Sequence, residues 1–304
     1  MRLIQSVIIL TACLFAAIPS PCKADEIDLP IVSKGDLQFN VDTYSFRGEW
    51  SGFEEIAIGI PVTQLIFKET QGVYVTTYTP VLRFFDHNGK EVKKIEGERR
   101  VQFATESATR DSTRSVNDVA RFQLAPGRYN GWLEISTSEG GKGRAEFAVE
   151  VPRFQAGHLS LSDPFFIRSI DPPDPGGAPD RFQKFGHILI PMPSRVVSAG
   201  APIRFYFQIS EIGQLQHEVT FKILDRFGNA VFSDVRDFGP YRDSARFIEG
   251  IPVRNLPAGA YALRISVTAG DQIAVTERHF ELGGPAPVVS PAFAERQNYL
   301  RMLI

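Results

Sequence analysis

Enzyme chemistry needs a nucleophile, a base or a bound metal, and the residues able to serve are scattered along this chain. The five histidines, His87, His158, His187, His217 and His279, include no pair at helical spacing, and no His-Glu-x-x-His or cysteine-based zinc pattern occurs. His87 reads as a solvated turn residue and His279 as a surface residue on a terminal strand. There is no Gly-x-Ser-x-Gly elbow and no phosphate-cradling glycine loop. "EGGKG", 139–143, joins two strands and lacks the helix whose amides would face a phosphate. Glu54 and Glu55 are neighbours on a predicted strand, so they point to opposite faces and do not pair as acid and base. Asp171, Asp174 and Asp180 cluster in "DPPDPGGAPD". Carboxylates at such junctions sometimes hold calcium, but this spacing matches no known calcium loop. The sequence therefore predicts no catalytic residue, no metal site and no cofactor, hence a protein that is not an enzyme.

The two cysteines, Cys13 and Cys22, both fall in the N-terminal segment. Arg2, the apolar stretch Leu3 to Ile18, the breakers Pro19 and Pro21, and the small residues of "CKA" predict an export leader over 1–24, cleaved after Ala24. "LTAC", ending at Cys13, offers a second reading as a lipid-attachment site, though the apolar run continues past it. Cleavage after Ala24 leaves no thiol, so stability must come from core packing. No later apolar run approaches the ~20 residues that span a bilayer as a helix. Charge is balanced, with 33 basic and 35 acidic residues and a net of −2, which argues against a nucleic-acid partner.

The elements behind these residues come in two similar sets. "QLAPGRYNGWLEI", 123–135, and "NLPAGAYALRISV", 255–267, each place a proline–glycine turn and then a tyrosine at the head of an alternating run. Tyr129, Leu133 and Ile135 are expected inward, as are Tyr261, Leu263, Ile265 and Val267. Asn130, Trp132, Glu134 and Ser136 are expected outward. Tyr129 and Tyr261 are read as tyrosine corners, each hydroxyl capping backbone near the strand start. Upstream, "VLRFFDHNGKEV" and "FKILDRFGNAVF" read as matched hairpins, and 104–118 reads as an exposed loop peculiar to the first set. About six to eight short strands per set predict an all-β protein. It would have two tandem immunoglobulin-like or fibronectin-III-like sandwiches, over 25–153 and 181–282. An inter-domain segment over 154–180 and a linker with a short C-terminal helix over 283–304 complete the expected layout.

These stretches, with "LSLSDPFFIRSI" at the junction, resemble the exported bacterial proteins named for a Gly-Trp-x-Thr-Asp motif. The resemblance covers about 36–282 and implies a leader and paired β-sandwich segments joined through a Leu-Ser-x-Ser-Asp-like stretch. The naming motif itself is absent, because "GWLEI" at 131–135 lies in a strand and lacks Thr-Asp. The family brings no defined activity.

Four residues stand out as contact candidates. Trp132, outward on its strand, is an anchor for a partner or a sugar ring unless a loop or the other half covers it. Trp50 lies in a loop with the same two readings. Phe293 and Leu300 fall at helical spacing in a tail that either docks on a partner or frays. The function expected is an exported, non-enzymatic interaction or envelope-assembly module, whose partner is another envelope or secreted protein. The alternatives are a periplasmic chaperone or inhibitor acting through an edge strand or the 104–118 loop, and a hydrolase with scattered site residues.

Overall fold

The computed structural model describes residues 30–48, 52–173, 180–211, 213, 216–239 and 244–283, and they are almost entirely strand. The first half runs β1 (Asn40–Arg47), β2 (Gly52–Pro61), β3 (Val73–Phe85), β4 (Glu91–Glu96), β5 (Arg99–Phe103), the single turn α1 (Glu106–Thr109), β6 (Ser115–Phe122), β7 (Gly127–Thr137) and β8 (Lys142–Val151). The second runs β9 (Phe165–Asp171), β10 (His187–Pro191), β11 (Ile203–Ser210), β12 (His217–Asp225), β13 (Ala230–Phe238), β14 (Ser244–Ile251), β15 (Gly259–Ala269) and β16 (Gln272–Leu282). Trp50, Phe293, Leu300, Asp174, the leader and the tail expected to be helical lie outside the described residues.

In the first half β2 pairs with β1 and β6, while β3 pairs with β4 and β7, and β7 with β8. In the second, β11 pairs with β9 and β14, while β12 pairs with β13 and β15, and β15 with β16. The long strands share one order in both halves, β1-β2-β6 matching β9-β11-β14 and β4-β3-β7-β8 matching β13-β12-β15-β16, so an immunoglobulin-like sandwich is built twice; β5 adds to the first half beside β3 and β10 to the second beside β9. Alternation fills both interiors. Leu133 and Ile135 of β7 and Leu263, Ile265 and Val267 of β15 are buried in their respective cores.

Local chemistry repeats as well. Tyr129 donates its hydroxyl proton to the Ala125 carbonyl at 2.8 Å, and Tyr261 donates to the Pro257 carbonyl at 2.8 Å. Asp86 Oδ1 accepts the amides of Asn88 and Lys90; Asp225 Oδ1 accepts those of Phe227 and Asn229. Gly89 and Gly228 follow at φ 75° and 82°, conformations that side-chain-bearing residues resist. Each hairpin thus closes over an aspartate-capped turn.

Two expectations change. The loop expected over 104–118 is shorter: α1 lies within it and β6 begins at Ser115, where Val116 and Asp118 are already buried. Single charged and polar residues between Val116 and Val119 mask the strand period there. The segment 154–180 contributes β9, which is paired to β11 and belongs to the second sandwich.

Candidate functional site

The outward face of β1 and β2 should meet water, yet it is buried. Along β1, Val41 enters the first core while Asp42, Tyr44 and Phe46 face out; along β2, Ile56, Ile58 and Ile60 face in while Glu55, Ala57 and Gly59 face out. All of them are sequestered because the second half packs on this face. Tyr44, Phe46, Ala57 and Val119 of the first half form one apolar cluster with Phe165, Ile167, Leu189 and Tyr206 of the second. Gly59 permits close approach: a Cβ there would lie 2.7 Å from Pro193 Cγ.

Three buried carboxylates of the first half each receive cations from the second. Asp42, 0% exposed, accepts Arg195 Nε at 2.7 Å and Arg278 Nη2 at 2.6 Å, and takes the Tyr44 hydroxyl at 2.5 Å. Burial alone would raise the Asp42 carboxyl. Arg195 and Arg278, with the bonds from Arg195 and Tyr44, outweigh burial and hold it below its usual range. Glu55 accepts Lys184 Nζ and Arg121 Nε, both at 2.6 Å. Asp118 accepts Arg99 Nε of its own half at 2.7 Å and, on its other oxygen, Arg181 of the second. A further pair, Arg47 with Glu211, closes the rim.

Lys184 also lies over rings of Phe46, Phe165 and Tyr206, at 4.8, 4.7 and 5.9 Å from their centroids. Burial brings its amine down to about 8, against the opposing pull of Glu55. Arg181, Gln183 and Lys184 precede β10, so this stretch clasps the outer face of the first sandwich; Arg121 also donates to the Gln183 carbonyl at 3.5 Å.

Backbone strain gathers at the same place. The described non-glycine residues at positive φ are Gln71, Phe185, Arg195 and Glu211. Arg195 and Glu211 supply junction side chains, and Phe185 follows Lys184. The linker is stitched to both sides: Ser162 Oγ accepts the Gln208 amide at 2.9 Å, and Asp163 Oδ2 accepts the Ser45 amide at 2.9 Å. The "LSLSD" stretch thus fastens each sandwich to the other.

Sequence reasoning placed little of this site. Of the histidines, His279 is half-buried rather than on the surface, because its strand runs along the junction and its carbonyl accepts Arg195 at 3.3 Å. Glu54 and Glu55 do point apart. Glu54 accepts the Ser45 hydroxyl at 2.7 Å, and burial, reinforced by nearby Asp163, pushes it up to about 7. Asp180 accepts the Phe182 amide at 2.8 Å, which closes a turn. Among the described residues no group of three or more His, Cys, Asp or Glu is placed to hold a metal, and no helix is long and apolar enough to cross a membrane.

Trp132 is on the outward side, opposite Arg83 on β3 and Glu146 on β8. Its ring is not open: Arg83 and Arg144 lie 5.2 and 4.5 Å from its centroid, and Phe85 stacks at 6.4 Å. Beside α1 is a shallow depression of about 330 Å³ lined by residues such as Phe67, Tyr74, Glu106 and Arg110. Its carboxylate, Glu106, is already paired with Arg110.

No protein-family model matches the chain. No curated protein matches it either. Solved structures similar to it include red sea bream transglutaminase, at 7% identity and a TM-score of 0.25, over 81% of this chain and 31% of that one. A β-glucuronidase of Parabacteroides merdae is similar at 13% identity and a TM-score of 0.23, over 76% and 28%. A glycosyl hydrolase family 2 member of Bacteroides cellulosilyticus is similar at 7% identity and a TM-score of 0.27, over 76% and 28%. This chain therefore spans less than a third of each of those proteins. Likeness at this level carries no inference about activity.

Proposed function

We propose that this chain is an exported, non-enzymatic interaction or assembly module of the cell envelope, a stiff two-sandwich spacer that presents its outer sheets to other proteins. The observation that supports this reading is the charge-clamped junction: Asp42, Glu55 and Asp118 are each held by cations from the second half. Parting the halves would also expose the apolar cluster of Tyr44, Phe46, Phe165 and Tyr206 between them, so the two halves resist separation. Kinship with the Gly-Trp-x-Thr-Asp proteins forms part of the same reading.

Strand addition to a client, the alternative reading, favours an uncharged free edge. The nine-residue edge strand β13 carries Asp234, Arg236 and Asp237, charges that disfavour client strands of arbitrary sequence and admit only a strand with matching opposite charges. The test is cell fractionation followed by affinity capture from the envelope with the intact chain as bait. A saturable envelope partner at fixed stoichiometry is expected. Turnover of a peptide, ester or glycan substrate that co-purifies with the protein would overturn the reading, as would a cytoplasmic location.

A further inference from the structure

The four-strand layer of the second half ends on β13, whose outer edge has no neighbour among the described strands. Open edges are normally blunted, because unpaired backbone groups recruit other strands. The equivalent edge of the first half is blunted. It is broken into the shorter β4 and β5 and carries Lys93, Lys94, Arg99 and Arg100. β13 has nine residues, no proline and no lysine. The surface beside it is also unusual. Val235, Thr220, Ser266 and Val275 form one outward row across the sheet, and Val235 and Val275 are 55% and 57% exposed. Ile273 lies outward on the same face, 70% exposed, and Val231, at the irregularity where β13 skips a partner on β12, is 42% exposed.

The sequence of β13 reads as its own complement. When two copies run antiparallel with Val235 on the two-fold axis, Val235 meets Val235 and Asp234 of each copy meets Arg236 of the other. Ser233 then meets Asp237, and Phe232 meets Phe238. Directly opposed residues project to one face, so each pair is in reach. Arg236 is already positioned: it holds Asp234 at 2.8 Å and Glu249 at 2.5 Å within its own chain. It can keep Glu249 while engaging the Asp234 of a second copy. By contrast, Lys93 and Lys94 of β4 would oppose each other in the symmetric pairing of that strand. We propose that this protein forms a two-fold dimer by antiparallel pairing of β13 with β13 of a second copy, joining the two outer sheets into one. Such an isologous contact closes on itself and does not propagate. This inference stands independently of the proposed function.

The experiment uses residues 25–304, which contain neither Cys13 nor Cys22, so any introduced cysteine is the sole thiol. Sedimentation velocity from about 1 to about 500 μM, the span in which a small edge contact titrates, is expected to show a monomer–dimer equilibrium. Val235→Lys places like charges on the axis and should raise the dissociation constant at least about tenfold with circular dichroism unchanged. Val235→Cys should oxidise to a disulfide-linked dimer, since paired strands bring opposed Cα atoms within disulfide range. Ile273→Cys, on the sheet face, and Ser244→Cys, on the edge of β14 that has no neighbour among the described strands, should stay monomeric on oxidation. A monomer at every concentration overturns the proposal. So does a Val235→Lys protein that dimerises like the parent, or crosslinking at Ile273 or Ser244 as fast as at Val235. Should Val235→Lys fail to fold, the cysteine series decides alone.

Discussion

Arg195, held at φ 50° in the left-handed region, reaches both carboxylate oxygens of Asp42, a residue 153 positions earlier in the chain. An arginine in that conformation costs on the order of 1–2 kcal/mol. The turn that carries it is closed by its own amide on the Met192 carbonyl at 2.9 Å, and β16 follows it through the Glu281 amide on the Arg195 carbonyl at 2.9 Å. Strain is thus held where the two sandwiches meet, offset by an ion pair that water does not reach.

Asp42→Ala should be among the most destabilising single changes in the molecule. It leaves Arg195 and Arg278, 2% and 7% exposed, without their shared carboxylate. The expected loss is about 3–5 kcal/mol, read as a lower urea midpoint. Asp86→Ala removes only a surface turn cap and should lower the midpoint far less. Equal losses for the two would show that the junction charge is not structural.

The two tyrosine corners invite a matched comparison. Tyr129→Phe and Tyr261→Phe each delete one hydroxyl and its bond to a carbonyl, so each should cost about 0.5–1.5 kcal/mol. Tyr261 is buried at 6% exposure and stacks on Phe280, whereas the Tyr129 bond is exposed to solvent. The second substitution should therefore cost more. Denaturation midpoints in the reverse order would mean that the two corners are not equivalent.

How far the sequence foretold this molecule follows from the range of each interaction. The corners and the Asp86 and Asp225 turns lie within four residues of their partners, and spacing alone exposes them. The junction's ion pairs between the halves join residues from 63 to more than a hundred positions apart, and alternation assigns Asp42 and Glu55 to a solvated face. One signal was available: "EEIAIGIPV" carries apolar or small residues at every position after its acids, the mark of a strand buried on both sides. Arg195, Lys184 and Arg278 gave none, since a surface cation and a clamped one look alike in sequence.

Glu54 should set an acid-side dependence. Its folded-state value of about 7 lies above the ordinary 4.5. Its stabilising contribution is therefore complete below about pH 4.5 and is lost as pH rises through 7. Glu54→Gln mimics the protonated form. It should raise stability at pH 8 by up to roughly 3 kcal/mol and leave it unchanged near pH 4.5. Urea titrations of both proteins at the two pH values check this, and a gap that does not change with pH removes Glu54 as its source.

Lys184 and Glu55 should respond unequally to truncation. Lys184→Met keeps an apolar chain against Phe46, Phe165 and Tyr206, and Glu55 still has Arg121 at 2.6 Å. Glu55→Ala strands the Lys184 amine among three rings with no carboxylate. The second variant should lose more, by about 1–3 kcal/mol. Lys184 also gives the pair an alkaline signature. Its value of about 8 is below the ordinary 10.5, so the folded state sheds the proton first and stability rises between pH 8 and 10.5. Lys184→Met should flatten that rise. A parent and variant with parallel alkaline profiles would show that the amine is solvated and that the clasp does not close over the first sandwich.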